Sequence, residues 1–200
     1  MNEPQRFKVD RYVDDVPEML LIAYTETVKQ RMIPFKETPE VKEYIAKVAK
    51  WLVSHNCKPG LMLYGQVGNG KTTMAKAACS MINTLYHSAL THECKSVWQI
   101  SALDLAVIAR NDSERFERIK KTEMLFIDDL GCEPVTVKSW GNELTPVVEL
   151  LYHRYDKQLF TIISSNLSDS DFKERYGDRI DDRMREMFDR LSFTNKSFRK

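Results

Sequence analysis

The sequence predicts an α/β fold built on a mostly parallel sheet, and three observations carry that expectation. Strand-like and helix-like segments alternate along the chain, as parallel strands joined by crossover helices require. The apolar run Leu61-Met62-Leu63-Tyr64 leads into Gly65-Gln66-Val67-Gly68-Asn69-Gly70-Lys71-Thr72, a complete Walker A phosphate loop, and a second run, Met124-Leu125-Phe126-Ile127, ends in Asp128 and Asp129. A strand, a glycine-rich turn and a helix in that order bring backbone N–H groups and a positive helix end to an anion.

Each element has a local reason. Asp15-Val16-Pro17 opens a helix with Leu20, Tyr24, Val28 and Met32 on one stripe, and Pro34 stops it. Thr38-Pro39-Glu40 starts a second, striped by Val41, Ile45, Val48 and Leu52, and Lys58-Pro59-Gly60 turns the chain into the first sheet strand. Strands are expected at 61–64, 96–100, 123–128, 159–164 and, more weakly patterned, 190–193, with helices after the first four. Ile180, Met184, Met187 and Leu191 form a further helical stripe. Residues 1–37 are therefore expected as an N-terminal helical segment and 38–200 as a nucleotide domain.

Composition narrows the class without naming a partner. With 200 residues the chain can bury about 70% of its unfolded surface without staples. A formal net charge of +1 excludes a global pull toward nucleic acid or membrane, so any basic surface must be local. Cys57, Cys79, Cys94 and Cys132 form no CxxC pair, which suits reduced thiols in a cytoplasmic protein. His92 beside Cys94 has too few companions for a metal site. No apolar run approaches the ~20 residues that span a bilayer, and the polar start is unlike a signal peptide.

The motifs imply a triphosphate site with ATP and Mg²⁺ as its ligands. Gly65, Gln66, Val67, Gly68, Asn69 and Gly70 would wrap the phosphates, Lys71 would reach the β and γ groups, Thr72 would ligate Mg²⁺, and Thr73 follows in the same turn. Asp128 would join Thr72 on the metal and Asp129 would orient or deprotonate the attacking water. Asn166, at the tip of the strand Leu159–Ser164, is the candidate sensor of that water or of the γ-phosphate, although an Asn is also at home in the turn before Ser168, a helix cap. Arg179 and Arg183 lie four apart beside a core stripe, either as salt-laced surface charges with Asp178 and Asp182 or as an arginine finger for a neighbouring subunit.

Asp128-Asp129-Leu130-Gly131-Cys132-Glu133, Ser139-Trp140, Arg154-Tyr155, Thr161-Ile162-Ile163-Ser164-Ser165-Asn166-Leu167 and Arg179-Ile180-Asp181-Asp182-Arg183 occur in an order that resembles AAA+ ATPases of the DnaC/DnaI helicase-loader and IstB transposition-helper family. The resemblance covers roughly residues 40 to 200. It implies a P-loop NTPase of AAA+ type, a three-layer α/β/α sandwich whose five-strand parallel sheet runs in the order 5-1-4-3-2. It makes Arg183 the finger acting in trans within a homo-oligomer, and Arg199 of Ser197-Phe198-Arg199 a sensor on the nucleotide. It points to a replicative helicase as client, with a transposase, or an adaptor role with weak hydrolysis, as the alternatives. It also implies single-stranded DNA as a ligand, for which Arg110, Arg115, Arg118, Lys120, Lys121, Lys138 and Trp140 are the basic and aromatic candidates.

Two departures from the family pattern stand out. Asp129 replaces the usual Glu with a side chain one methylene shorter, so turnover is expected to be slow. Lys200 comes just after the last expected strand, so the helical lid is expected to be absent or truncated.

Overall fold

A computed structural model describes residues 6–32, 34–86, 95–139 and 142–198. Five parallel strands, β1 (Gly60–Gly65), β2 (Trp98–Ser101), β3 (Met124–Leu130), β6 (Phe160–Ser165) and β7 (Phe188–Phe193), form one sheet in the order β2-β3-β6-β1-β7. Numbered among themselves, these strands give the expected order 5-1-4-3-2. A short antiparallel hairpin of β4 (Val137–Ser139) and β5 (Asn142–Leu144), which the sequence patterns do not announce, follows β3.

Period-two side-chain alternation divides the sheet between two cores. Leu61, Leu63, Phe126 and Ile162 face α1 (Val16–Lys29), α2 (Pro39–Val53) and α3 (Lys71–Tyr86). Met62, Leu125, Ile127 and Ile163 face α4 (Ala102–Asn111), α5 (Ser113–Lys121), α6 (Pro146–Lys157), α7 (Asp169–Tyr176) and α8 (Asp178–Met187). Helices on both faces explain why the inner strands β1, β3 and β6 read as apolar runs, while the edge strands β2 and β7 carry polar residues.

Local chemistry sets the boundaries. The Thr38 hydroxyl accepts from Val41 N–H at 3.4 Å and Pro39 occupies the first turn, so α2 starts where expected. Ser168 and Asp171 form a capping box at α7. The first stripe is shorter than expected: α1 ends at Lys29, and Met32 is 93% exposed with φ 58°. The last stripe also breaks. Ile180, Met184 and Met187 are buried on α8, but β7 begins at Phe188 and Leu191 belongs to that strand.

Buried Arg154 of α6 ties two strand starts together. Its Nε donates to Thr161 Oγ1 at 2.8 Å, while its terminal nitrogens donate to Thr122 O at 2.8 Å and Phe160 O at 2.7 Å. The guanidinium therefore fixes where β3 and β6 begin, and with them where their carboxyl ends emerge.

Candidate functional site

The parallel strands end on one side of the sheet, where crossover connections leave room for a ligand. A cavity of about 870 Å³ lies there, lined by residues 67–73, Asp129 and Asn166, and walled by Tyr24 and Val28 of α1, by Arg31 in the turn after it, and by Phe35, Val41 and Phe198. Its size suits a small-molecule or cofactor site. Burial pushes the Tyr24 phenol up, more than the nearby Arg31 charge lowers it, so this hydroxyl stays protonated.

The phosphate loop is held from both sides. Gly65 has φ 140° and a Cβ there would lie 2.3 Å from Phe193 O, so only glycine lets β1 turn so close to β7. Asn69 Nδ2 donates to that same Phe193 carbonyl at 2.6 Å, Asn195 Nδ2 to Asn69 O at 3.2 Å, and Phe198 N–H to Gly68 O at 2.8 Å. Residues 193–198 thus strap the loop. Inside it, the Lys71 ammonium is buried and donates to Gly65 O (2.8 Å), Gln66 O (2.7 Å) and Asn69 Oδ1 (3.1 Å). The first helical bond runs from Met74 N–H to Gly70 O at 2.9 Å, and the preceding N–H groups sit at the positive end of α3.

Across from the loop, β3 bulges after Ile127 and Asp129 adopts φ 54°. That left-handed turn sends consecutive carboxylates to different places. Asp129 lines the cavity, whereas Asp128 lies behind Thr72, whose hydroxyl donates to Asp128 Oδ1 at 2.9 Å. Fully buried Ser164 joins the pair: its hydroxyl donates to Asp128 Oδ1 at 2.6 Å and accepts from Asp129 N–H at 2.9 Å. Glu133 secures the turn beyond, accepting from Gly131 N–H at 2.8 Å and from the Tyr176 hydroxyl. Burial and the Glu133 carboxylate push the Tyr176 phenol far up, so it remains a donor.

Most expected site residues therefore converge. Val67, Gly68, Asn69, Gly70, Lys71, Thr72, Thr73, Asp129 and Asn166 line one cavity, Asp128 is one hydrogen bond away, and Gly65 and Gln66 supply carbonyls to Lys71. Arg183 does not join them. Its guanidinium sits on α8 over the rings of Tyr152 (4.3 Å) and Tyr155 (5.1 Å), and among the described residues no carboxylate pairs with it. Arg199, Trp140, His92 and Cys94 lie outside the described residues.

One candidate for nucleic-acid contact is engaged elsewhere. Lys120 is 8% exposed and donates to Glu149 at 2.6 Å and to Glu117. Burial alone would lower its pKa, but the two carboxylates outweigh that and raise it. Lys120 is thus a buried clasp between α5 and α6, while Arg115 lines a second cleft beside β2.

Sequence patterns missed Ser164, the α1 wall and the strap. Ser164 stood as one polar residue closing an apolar strand, a signal shared with many strand ends. Tyr24 and Val28 were visible only as a stripe, which does not distinguish a core from a cavity lining.

Among the described residues no helix is long and apolar enough to cross a membrane, and no group of three or more His, Cys, Asp or Glu is placed to hold a metal ion. The oxygens of Thr72 and Asp128 are instead a partial, hard donor set of the kind that phosphate oxygens complete.

The sequence model of the ATPase family associated with various cellular activities (AAA) matches residues 61–169. The replicative helicase loader DnaI of Bacillus subtilis (strain 168) is 31% identical over 124 residues, which are 58% of this chain and 36% of that protein. The chain thus spans about a third of that relative's length. Among solved structures, the fold is similar to that of the DnaC helicase loader (TM-score 0.59, 21% identity, 80% of this chain and 93% of that one). It is likewise similar to the crystal structure of DnaI (TM-score 0.60, 19% identity, 88% and 93%).

Proposed function

This chain belongs to the AAA family of ATPases, and we propose from that premise that it hydrolyses ATP with Mg²⁺ at the cavity and serves as a loader of a replicative DNA helicase. The observation that carries the reading is the meeting in one cavity of the phosphate loop, Asp129 and Asn166, with Asp128 bonded to Thr72 behind them. Thr72 and Asp128 would hold Mg²⁺, which when bound neutralises charge across the β- and γ-phosphates. Similarity to the DnaI helicase loader supports the choice of client.

The chain's own residues do the rest of the work in this reading. The loop N–H groups and the first turn of α3 wrap the phosphates. Lys71 exchanges at least one loop carbonyl for a phosphate oxygen, with its ammonium kept dry by the surrounding loop. Asp129 takes or orients the proton of the attacking water, and the Asn166 amide holds that water or the γ-phosphate. The shorter reach of Asp129 makes turnover slow. Tyr24, Val28 and Phe35 cover the base.

Arg183, held by two rings and turned from its own cavity, serves a neighbouring subunit as the finger, an effect worth about 10³- to 10⁵-fold in rate. The active form then has at least two subunits. A cytoplasmic setting and contact with single-stranded DNA follow from the same role.

Phosphate release tests the catalytic half of the reading. Lys71→Ala and Arg183→Ala chains should each be inactive alone and regain turnover when mixed, because mixed interfaces pair an intact loop with an intact finger. Affinity capture on the Lys71→Ala chain tests the client: a hexameric helicase supports the reading and a transposase moves it to a transposition helper. Mixtures without activity, together with turnover indifferent to helicase and to single-stranded DNA, would overturn it.

A further inference from the structure

Asp128 and Asp129 are neighbours in sequence but border different spaces. Asp129 lines the nucleotide cavity, whereas Asp128 lines an adjoining cleft of about 550 Å³ bounded by β2, α4 and α3. The two oxygens of Asp128 also have different company. Oδ1 accepts from Thr72 at 2.9 Å and from Ser164 at 2.6 Å. Oδ2 faces the ammonium of Lys76 at 3.8 Å.

Thr72 and Lys76 are four apart on α3, so their side chains share one face of the helix. The Lys76 side chain is 44% exposed and borders the cleft, and among the described residues Asp128 is its one ion-pair partner. A hydroxyl oxygen that ligates a cation can go on donating its proton to a carboxylate, so the Thr72 and Ser164 bonds are compatible with cation loading. The Lys76 ammonium is not. It is a like charge standing at the oxygen that the two hydroxyls leave over.

We infer that Lys76 is a positioning residue that weakens divalent-cation binding at Asp128 and withdraws into the cleft beside β2 when the cation loads. The inference rests on the nucleotide and metal reading of the site proposed above. An exposed ion pair has a modest energy, and a divalent competitor roughly doubles the charge at stake, so removing Lys76 is expected to tighten cation binding by about three- to tenfold. Because Lys76 is half-exposed, the effect should shrink as salt rises from about 50 to 300 mM, where the screening length becomes shorter.

The test measures binding and needs no turnover. Mn²⁺ affinity is read by electron paramagnetic resonance, and the affinity of a fluorescent non-hydrolysable ATP analogue is measured with Mg²⁺ and with EDTA. Lys76→Met should tighten Mn²⁺ and enlarge the Mg²⁺-dependent gain in analogue affinity, while Lys76→Arg stays near wild type. On an Asp128→Asn background, Lys76→Met should give no gain over Asp128→Asn alone, since the two side chains act on one another. Mn²⁺ affinity unchanged or weaker in Lys76→Met, or equal in the Met and Arg variants, would overturn the inference while leaving the site reading intact. A wild-type chain whose analogue affinity ignores Mg²⁺ would overturn both.

Discussion

Replacing Ser164 with Ala should separate nucleotide binding from turnover. The hydroxyl is fully buried, donates to Asp128 Oδ1 at 2.6 Å and accepts from Asp129 N–H at 2.9 Å, and alanine leaves almost no void. A hydrogen bond to a charged group contributes about 1.5–3 kcal/mol, and a buried N–H left without an acceptor costs about 1–3 kcal/mol. Partial relaxation reduces the sum, so a net loss of about 2–4 kcal/mol is expected. For a chain of this size that corresponds to a fall of about 4–16 °C in the thermal midpoint. The N–H left without its acceptor belongs to Asp129, whose φ of 54° is held by the surrounding turn. Loosening it misaligns the water-orienting carboxylate and should lower turnover by about 10- to 100-fold. The loop that binds phosphate is untouched, so nucleotide affinity should stay within about threefold of wild type. Calorimetry, phosphate release and a fluorescent nucleotide titration measure the three quantities. Turnover within twofold of wild type, or a loss of affinity as large as that of Lys71→Ala, would refute the coupling.

Three further perturbations test the frame around the site. Arg154→Met removes the donors to Thr122, Phe160 and Thr161 and should destabilise by about 3–5 kcal/mol in urea unfolding, with Arg154→Lys intermediate because it cannot span all three acceptors. Gly131→Ala should lose about 1–3 kcal/mol by the same measurement, since φ is 104° and the new Cβ would lie 2.7 Å from Leu167; Leu167→Ala should relieve the clash but not the backbone strain. Burial against Trp51 lowers the Lys8 ammonium to about 8. Between that value and the usual 10.5 the unfolded chain binds more protons than the folded one, so this group's contribution to stability rises with pH across that window. Thermal midpoints at pH 7.5, 9 and 10 should show that rise in wild type and its loss in Lys8→Met.

What could be read in advance was chemistry whose partners are close in the chain. The phosphate loop, the carboxylates ending β3, Asn166 at the tip of β6 and the Ser168 cap each depend on residues within one turn of each other, and their spacing encodes the geometry. The order of the parallel sheet was legible only through family resemblance, because the three inner strands β1, β3 and β6 are all apolar on both faces and composition alone does not say which of them are neighbours. Contacts made across the fold left no such trace. Lys120 looks like a solvated basic residue until Glu149 of α6 arrives beside it. The role of Asn69 depends on Phe193, and the split between Asp128 and Asp129 depends on a bulge that no pattern of apolar residues marks. Met32 extended a helical stripe by periodicity, but α1 had already ended at Lys29.

The strap over the phosphate loop has a consequence for the order of assembly. Asn69 and Phe193 are 124 positions apart, and the bond between them closes after almost every intervening element must be in place. A nascent chain that has emerged only as far as α8 contains the whole phosphate loop yet lacks its second wall. Full nucleotide capture is therefore expected only once β7 has emerged and paired with β1, and ligand present during synthesis favours the fold that holds this wall over predecessors that lack it.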